Sequence, residues 1–354
     1  MSVTVAMARK IMVLGAGVVG LSTAVRIQEE IPGSDITIVA DKFTKDTTSD
    51  GAAGMFRPTI LLTPAPSEEI FCCWCEDSFR WYDVISRSDE SPAAGIYPIS
   101  GYELSVEKKE YPHLHKIIYN FRDMTPREIQ NFPGNYKFGW YYTTLMIECR
   151  RYQPWLMERF RKNGGKIISQ TVTNLEEFRE KCDLLVNCSA LGSRELFGDK
   201  EMTPIRGHLI RVKAPWIKHF LLADNAHTYI YPGQDNVALG GTRQEGIEDL
   251  THEQLHFDDI MKRCCAFIPS LKTAKIEQQW IGLRPFRSVI RVESEEININ
   301  GKALKVVHNY GHGGNGVSLS WGTAVHATEI AKEMLQNTRS IPASLLQGDV
   351  NNEC

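Results

Sequence analysis

The apolar positions near the start of the chain change period twice. Ile11 to Leu14 is an unbroken apolar run, as in a strand buried on both faces; Leu21 to Glu30 repeats at helical spacing; Asp35 to Ala40 is again a short strand. The pattern predicts a β-α-β unit. Later segments alternate in the same way. Helices are expected over Ser67 to Ile85, from Thr125-Pro126-Arg127-Glu128, and over Tyr152 to Asn163. Strands are expected over Lys166 to Gln170, Leu184 to Cys188 and Gly207 to Lys213. Thr228 to Gly241 reads as two strands about the turn Pro232-Gly233-Gln234-Asp235-Asn236, and Lys305 to Leu335 as a strand, a glycine loop and a long amphipathic helix. This order describes an α/β chain. A Rossmann-like domain (1–60, 146–205 and 285–346) interleaves with a mixed β-sheet domain (61–145 and 206–284), followed by a tail, 347–354.

The first turn carries chemistry. It reads G-A-G-V-V-G, with Gly15, Gly17 and Gly20 separated by Ala16, Val18 and Val19. The first glycine permits a tight turn, the second a close approach to a pyrophosphate, and the third close packing of helix on strand. The helix N-terminus then faces the phosphates, and Asp41, 21 positions after Gly20, is placed to accept hydrogen bonds from ribose hydroxyls. Strand, helix, second strand and terminal acid together point to a dinucleotide.

Composition narrows the function classes. With 40 basic and 43 acidic residues among 354, the net charge of −3 argues against nucleic acid and anionic membranes as partners. The apolar run from Ile11 to Val25 is too short and glycine-interrupted to span a bilayer. Nine irregularly spaced cysteines suit a reducing compartment better than a disulfide framework, and Cys72-x-x-Cys75 falls in a helical segment without a second pair at zinc spacing. No metal site is expected. No Ser/His/Asp order or paired carboxylates announces hydrolysis either.

Two loops remain. Lys45 to Met55 is rich in small residues, so its N–H groups and the Thr47, Thr48 and Ser49 hydroxyls are free to crowd a phosphate, although the same composition also makes an ordinary polar turn. G-H-G-G-N-G, Gly311 to Gly316, precedes a helix start at Val317 or Ser318. A helix N-terminus there would stabilise negative charge on the pyrimidine end of a flavin. His312, between glycines, reads as a structural hydrogen-bonding residue rather than an acid–base group.

A small anion would need donors nearby. Arg284 offers two parallel donors to a carboxylate and Tyr229 a third, uncharged one. Arg243 lies beyond them: if Val237 to Gln244 is one strand and the turn is symmetric, Val237, Leu239, Gly241 and Arg243 share a face with Tyr229 and Tyr231. Each of these is also an ordinary strand residue by pattern alone.

Several segments together resemble the FAD-dependent D-amino acid oxidases, most closely the branch that acts on acidic substrates. They are G-A-G-V-V-G-L-S-T-A, A-D-K-F-T-K-D-T-T-S-D-G-A-A-G-M, V-N-C-S-A-L-G-S-R, L-G-G-T-R-Q, G-L-R-P-F-R and H-N-Y-G-H-G-G-N-G, and the similarity runs from about Lys10 to Leu346. The resemblance implies that 1–60, 146–205 and 285–346 bind FAD and that the other domain binds substrate. It places Gly15, Gly17 and Gly20 at the pyrophosphate, Asp41 and Lys42 at the adenosine ribose, and Thr47, Thr48, Ser49, Ala53, Gly54 and Met55 along the cofactor. Val172 and Ser189 lie further round, with Gly282, Arg284, Gly313, Gly316, Val317 and Ser318 near the ring. It also implies oxidation of D-aspartate and D-glutamate to the 2-oxo acid and ammonia, with O2 reduced to hydrogen peroxide. Tyr229 and Arg284 match the α-carboxylate clamp, and Arg243 the arginine of acidic-substrate members. A broad oxidase of neutral D-amino acids, or a flavin-binding protein without activity, stays open, as does homo-oligomerisation.

The chain also departs from the pattern. A second arginine of some acidic-substrate members is Leu222 here, and Arg57, in M-F-R-P, is a candidate to replace it at the substrate. Relatives end in a peroxisomal tripeptide, whereas this chain continues past Leu346 to Q-G-D-V-N-N-E-C. Peroxisomal and cytosolic locations are therefore both expected possibilities.

Overall fold

The computed structural model describes residues 8–60, 64–223 and 227–336. Within them the expected elements form, with ends that shift for local reasons. The first helix is Val18–Glu30, three residues longer than its apolar period, because Gly17 is already the extended N-cap. Ser67 caps Glu68–Ser86 by accepting a hydrogen bond from the Ile70 N–H at 3.2 Å. Thr125 and Glu128 form a reciprocal capping box at Pro126–Ile129. The helix expected from Tyr152 begins at Cys149 and runs to Lys162, through Pro154. The tail, 347–354, lies outside the described residues.

A single mixed sheet organises the described residues. One half is parallel. Lys302–His312, Leu184–Asn187, Lys10–Ala16, Asp35–Phe43 and Lys166–Ser169 lie side by side in that order. Helices Val18–Glu30 and Gly316–Gln336 pack together on it, with Cys149–Lys162 against the first of them. In the other half Tyr119–Asp123, Phe138–Ile147, Ile96–Ser105, Phe220–Ala223, Thr228–Pro232, Val237–Gly240 and Thr203–Lys213 follow one another. Every pairing there is antiparallel except that of Ile96–Ser105 with Phe220–Ala223.

The halves are joined by the strand Lys275–Ile299, which no sequence signal announced at that length. Its first part, up to Phe286, pairs with Thr203–Lys213; from Phe286 onward it pairs with Lys302–His312. Phe286 belongs to both ladders. Beside it Pro285 faces Pro204, so the ladder lacks two N–H donors where it changes partner, and the register is irregular from Phe286 to Arg291. One strand thus carries the chain from one half to the other. The largest buried cluster follows the same path, from Ile11 and Val13 through Phe56 and Trp140 to Tyr229 and Tyr231.

Candidate active site

All the candidate cofactor and substrate residues, from Gly15 to Ser318, line one cavity of about 980 Å³. That is at the upper end for a small-molecule site, about 300–1,000 Å³. The chain reaches one end of it through the strand–turn–helix unit. Gly15 sits at φ +96°, and a Cβ on Gly20 would stand 2.1 Å from the Gly15 carbonyl oxygen, so strand and helix meet at backbone contact. The Val18 N–H donates to Ser49 Oγ at 3.1 Å, which folds the loop after Asp35–Phe43 onto the helix N-terminus. That loop is two short helical turns, Thr48–Gly51 preceded by Thr44–Asp46. Asp41 and Lys42 are exposed on the cavity rim.

The second glycine loop closes the middle. Gly313–Asn315 is a single tight turn, and the following helix begins at Gly316, one residue before the expected start, with Gly316, Val317 and Ser318 at the cavity wall. His312 is buried and its Nε2 pairs with Thr323 Oγ1 at 3.0 Å. Burial alone lowers its pKa to about 3, so it is neutral and held in place.

Sheet registry builds the far wall. Residues paired across strands share a face, so one row crosses the sheet as Glu103, Leu222, Tyr229, Gly240, Leu209 and Trp280. This corrects the expected face: Gly240 and Ala238 lie opposite Tyr229 and Tyr231, whereas Val237 and Leu239 do not share their side. The strand also ends at Gly240, so Arg243 is not on it. Alternation along Lys275–Ile299 puts Trp280, Gly282 and Arg284 on the cavity face.

The three candidate arginines differ in what neutralises them. Arg284 lies over Gly207 and donates from Nη1 to the Thr242 carbonyl at 3.1 Å, and among the described residues no carboxylate pairs with it. Burial presses its pKa down; Tyr229 opposes that and Arg243 adds to it. The Tyr229 hydroxyl, raised in pKa by burial and so protonated, has no hydrogen-bond partner among the described residues and stacks on Tyr231 with ring centroids 4.7 Å apart. Arg243 is partly exposed, pairs with the exposed Glu245 at 2.8 Å and lies 5.8 Å from the Phe286 ring centre. Arg57, the candidate for a second cation at the substrate, lines the cavity but is buried and already paired with Glu103, through Nε to Oε2 at 2.8 Å and through Nη2 to Oε1.

Residues 10–330 match the family model described as FAD dependent oxidoreductase. The chain belongs to that family. A D-aspartate oxidase of Homo sapiens is 42% identical over 341 residues, covering 95% of this chain and 99% of that protein. D-aspartate oxidase 1 of Caenorhabditis elegans is 34% identical, covering 94% and 100%. Glycine oxidase from Geobacillus kaustophilus shares the fold, with a TM-score of 0.76 at 15% identity over 92% of this chain and 95% of that one. The cofactor of this FAD-dependent oxidoreductase is FAD, and the residues present fit it. The fit rests on the glycine turn that brings strand and helix into backbone contact at the cavity end, the continuous cavity from Asp41 to the helix N-terminus at Gly316, and the small-residue loop packed between them. Among the described residues, no helix is long and apolar enough to cross a membrane, no group of three His, Cys, Asp or Glu side chains is placed to hold a metal ion, and the cysteines are free thiols.

Sequence reasoning missed Trp280 on the cavity wall, Gly207 beneath Arg284 and Glu103 paired with Arg57. Gly207 precedes an apolar strand run and gives no motif; only the pairing with Gly282 puts it under the Arg284 side chain. A Cβ there would stand 2.3 Å from Arg284 Nη1, and because the guanidinium is the flexible partner, it moves while the fold holds. Gly207→Ala is therefore expected to keep FAD bound while raising KM, with kcat/KM falling about tenfold to a hundredfold as misplacement by about 1 Å does. Flavin absorbance and steady-state kinetics on the same sample check both halves.

Proposed function

We propose that the protein oxidises acidic D-amino acids, D-aspartate and D-glutamate, to the 2-oxo acid and ammonia. The observation that carries the reading is Arg284: a buried-facing cation without an acidic partner, within electrostatic reach of the unpartnered Tyr229 hydroxyl, in the cavity that fits FAD. A buried guanidinium is costly unless a ligand supplies the missing carboxylate, and two parallel N–H donors match one. Bound FAD supplies a two-electron acceptor whose reoxidation by O2 yields hydrogen peroxide.

The chain's own residues supply binding and orientation. Arg284 and Tyr229 hold the α-carboxylate, and Arg243, beside Arg284 on the Phe286 ring, meets the second carboxylate of an acidic side chain. Two fixed anchors on one substrate define which enantiomer presents its Cα–H inward. His312, neutral and bonded to Thr323, accepts no proton at physiological pH.

Peroxide release from a panel of D- and L-amino acids tests this. D-aspartate and D-glutamate are expected to give peroxide and their L-enantiomers none. Peroxide from apolar D-amino acids in preference to D-aspartate would favour a broad neutral oxidase instead. A yellow protein that releases none with any amino acid would be a flavin-binding protein without this activity.

A further inference from the structure

We propose that Glu295, His308 and Asn187 form a hydrogen-bond relay that fixes Ser189 at the glycine-turn end of the FAD cavity, with His308 the positioning residue that keeps the cofactor tightly bound. The relay serves the cofactor, whichever amino acid is the substrate. Residues 189–192 line the cavity beside Gly15, and a Cβ on Gly15 would collide with the carbonyl of the preceding Cys188. This loop needs an outside hold. Ala190 stands at φ +55°, a left-handed conformation that an alanine does not keep unaided.

The proton positions follow from one backbone donor. The Ser189 N–H donates to Asn187 Oδ1 at 3.0 Å, and the Ser189 hydroxyl donates to the same oxygen at 2.7 Å, so the Asn187 NH2 faces the other way. There it meets His308 Nδ1 at 3.2 Å and Ser193 Oγ at 3.1 Å. His308 Nδ1 must therefore accept, which leaves the ring proton on Nε2, 2.9 Å from Glu295 Oε2. Register puts these groups in line. Asn187 pairs with His308 on the neighbouring strand, and Glu295 lies two residues beyond Glu293, the partner of His308 on the other side, and on the same face. Asn187, Ser193 and His308 are fully buried, and the imidazole stands edge-on to the rings of Phe197 and Tyr310, with centroids 5.0 and 5.7 Å away. Burial lowers the His308 pKa to about 4, with Arg291 adding to this and Glu295 opposing it, so the ring is neutral and Nδ1 keeps its lone pair. Arg291 also donates to Glu295 at 2.9 Å and holds that carboxylate in place. A partly exposed acid on one face of the sheet thus sets the orientation of a serine on the cavity wall.

The test combines nitrogen NMR of the histidine-labelled, FAD-loaded protein with release of FAD on dilution, followed by flavin fluorescence. The His308 ring, assigned by the signal lost in H308L, is expected to carry its proton on Nε2; a proton on Nδ1 would overturn the relay. E295A takes away the acceptor that keeps the proton there. Two N–H groups are then free to face each other, and the Asn187 amide turns its NH2 toward Ser189. The dissociation constant for FAD should rise at least about threefold in E295A and at least about tenfold in H308L, where the relay is cut inside the core. E295Q, whose Oε1 still accepts, should stay within about twofold of the unaltered protein. A lower melting temperature with unchanged FAD affinity is what a merely structural role gives, and it overturns the proposal, as does E295Q releasing FAD as readily as E295A. Should H308L fail to fold, E295A and E295Q decide alone, because Glu295 is partly exposed and its replacement leaves the buried packing in place.

Discussion

Replacing Arg284 by alanine is expected to lower kcat/KM for every substrate, whatever its side chain, by about 2–5 kcal/mol, roughly 30-fold to several thousand-fold. The size follows from its surroundings. Arg284 has no acidic partner among the described residues, so nothing there substitutes for the substrate α-carboxylate and nothing competes with it. The loss should be the same on D-aspartate and D-alanine while flavin stays bound, because the α-carboxylate proposed to pair with Arg284 is common to all substrates. Near-normal kinetics on D-aspartate would show that the clamp is assigned to the wrong residue. Tyr229→Phe removes one hydrogen bond to a charged group and should cost less, about 1–3 kcal/mol. Its ring still stacks on Tyr231, so the wall keeps its shape.

Arg243→Met is expected to change selectivity rather than overall rate. Efficiency on D-aspartate should fall by about 1–3 kcal/mol, roughly fivefold to 150-fold, while D-methionine turnover holds or rises. The figure is smaller than for Arg284 because Arg243 is partly exposed and already paired with Glu245, so a substrate carboxylate exchanges one partner for another. Measuring kcat/KM for both substrates in both proteins checks it. Equal losses would mean that Arg243 supports the fold or the flavin, and a neutral-substrate oxidase would then be the better description. The same structure makes Arg57 a poorer choice for this role, since Glu103 cancels its charge before any substrate arrives.

Much of the cofactor end was legible without coordinates. Gly15, Gly17, Gly20 and Asp41 lie within one β-α-β unit, so spacing along the chain is also spacing in space. The same holds for the loop before Gly316, where a glycine turn leads straight into a helix. Helix caps at Ser67 and Thr125 were equally local, three-residue events. The residue types proposed to meet the substrate, an arginine and a tyrosine, were visible as well. Their arrangement was not.

That arrangement depends on register, and a one-residue slip in a strand turns every side chain to the other face. The turn after Pro232 pairs Tyr229 with Gly240, so the expected face was inverted and Arg243 fell beyond the strand end. The pairing of Gly207 with Gly282 beneath Arg284 joins segments some 75 positions apart and leaves no local trace. Arg57 and Glu103 are 46 positions apart, and neither sequence neighbourhood signals the other. By itself the sequence determined the elements and the glycine turn of the first β-α-β unit, because these rest on local spacing. Only the tertiary structure decided which arginine is free, which is cancelled and which is shared with solvent, because charge is neutralised by neighbours in space.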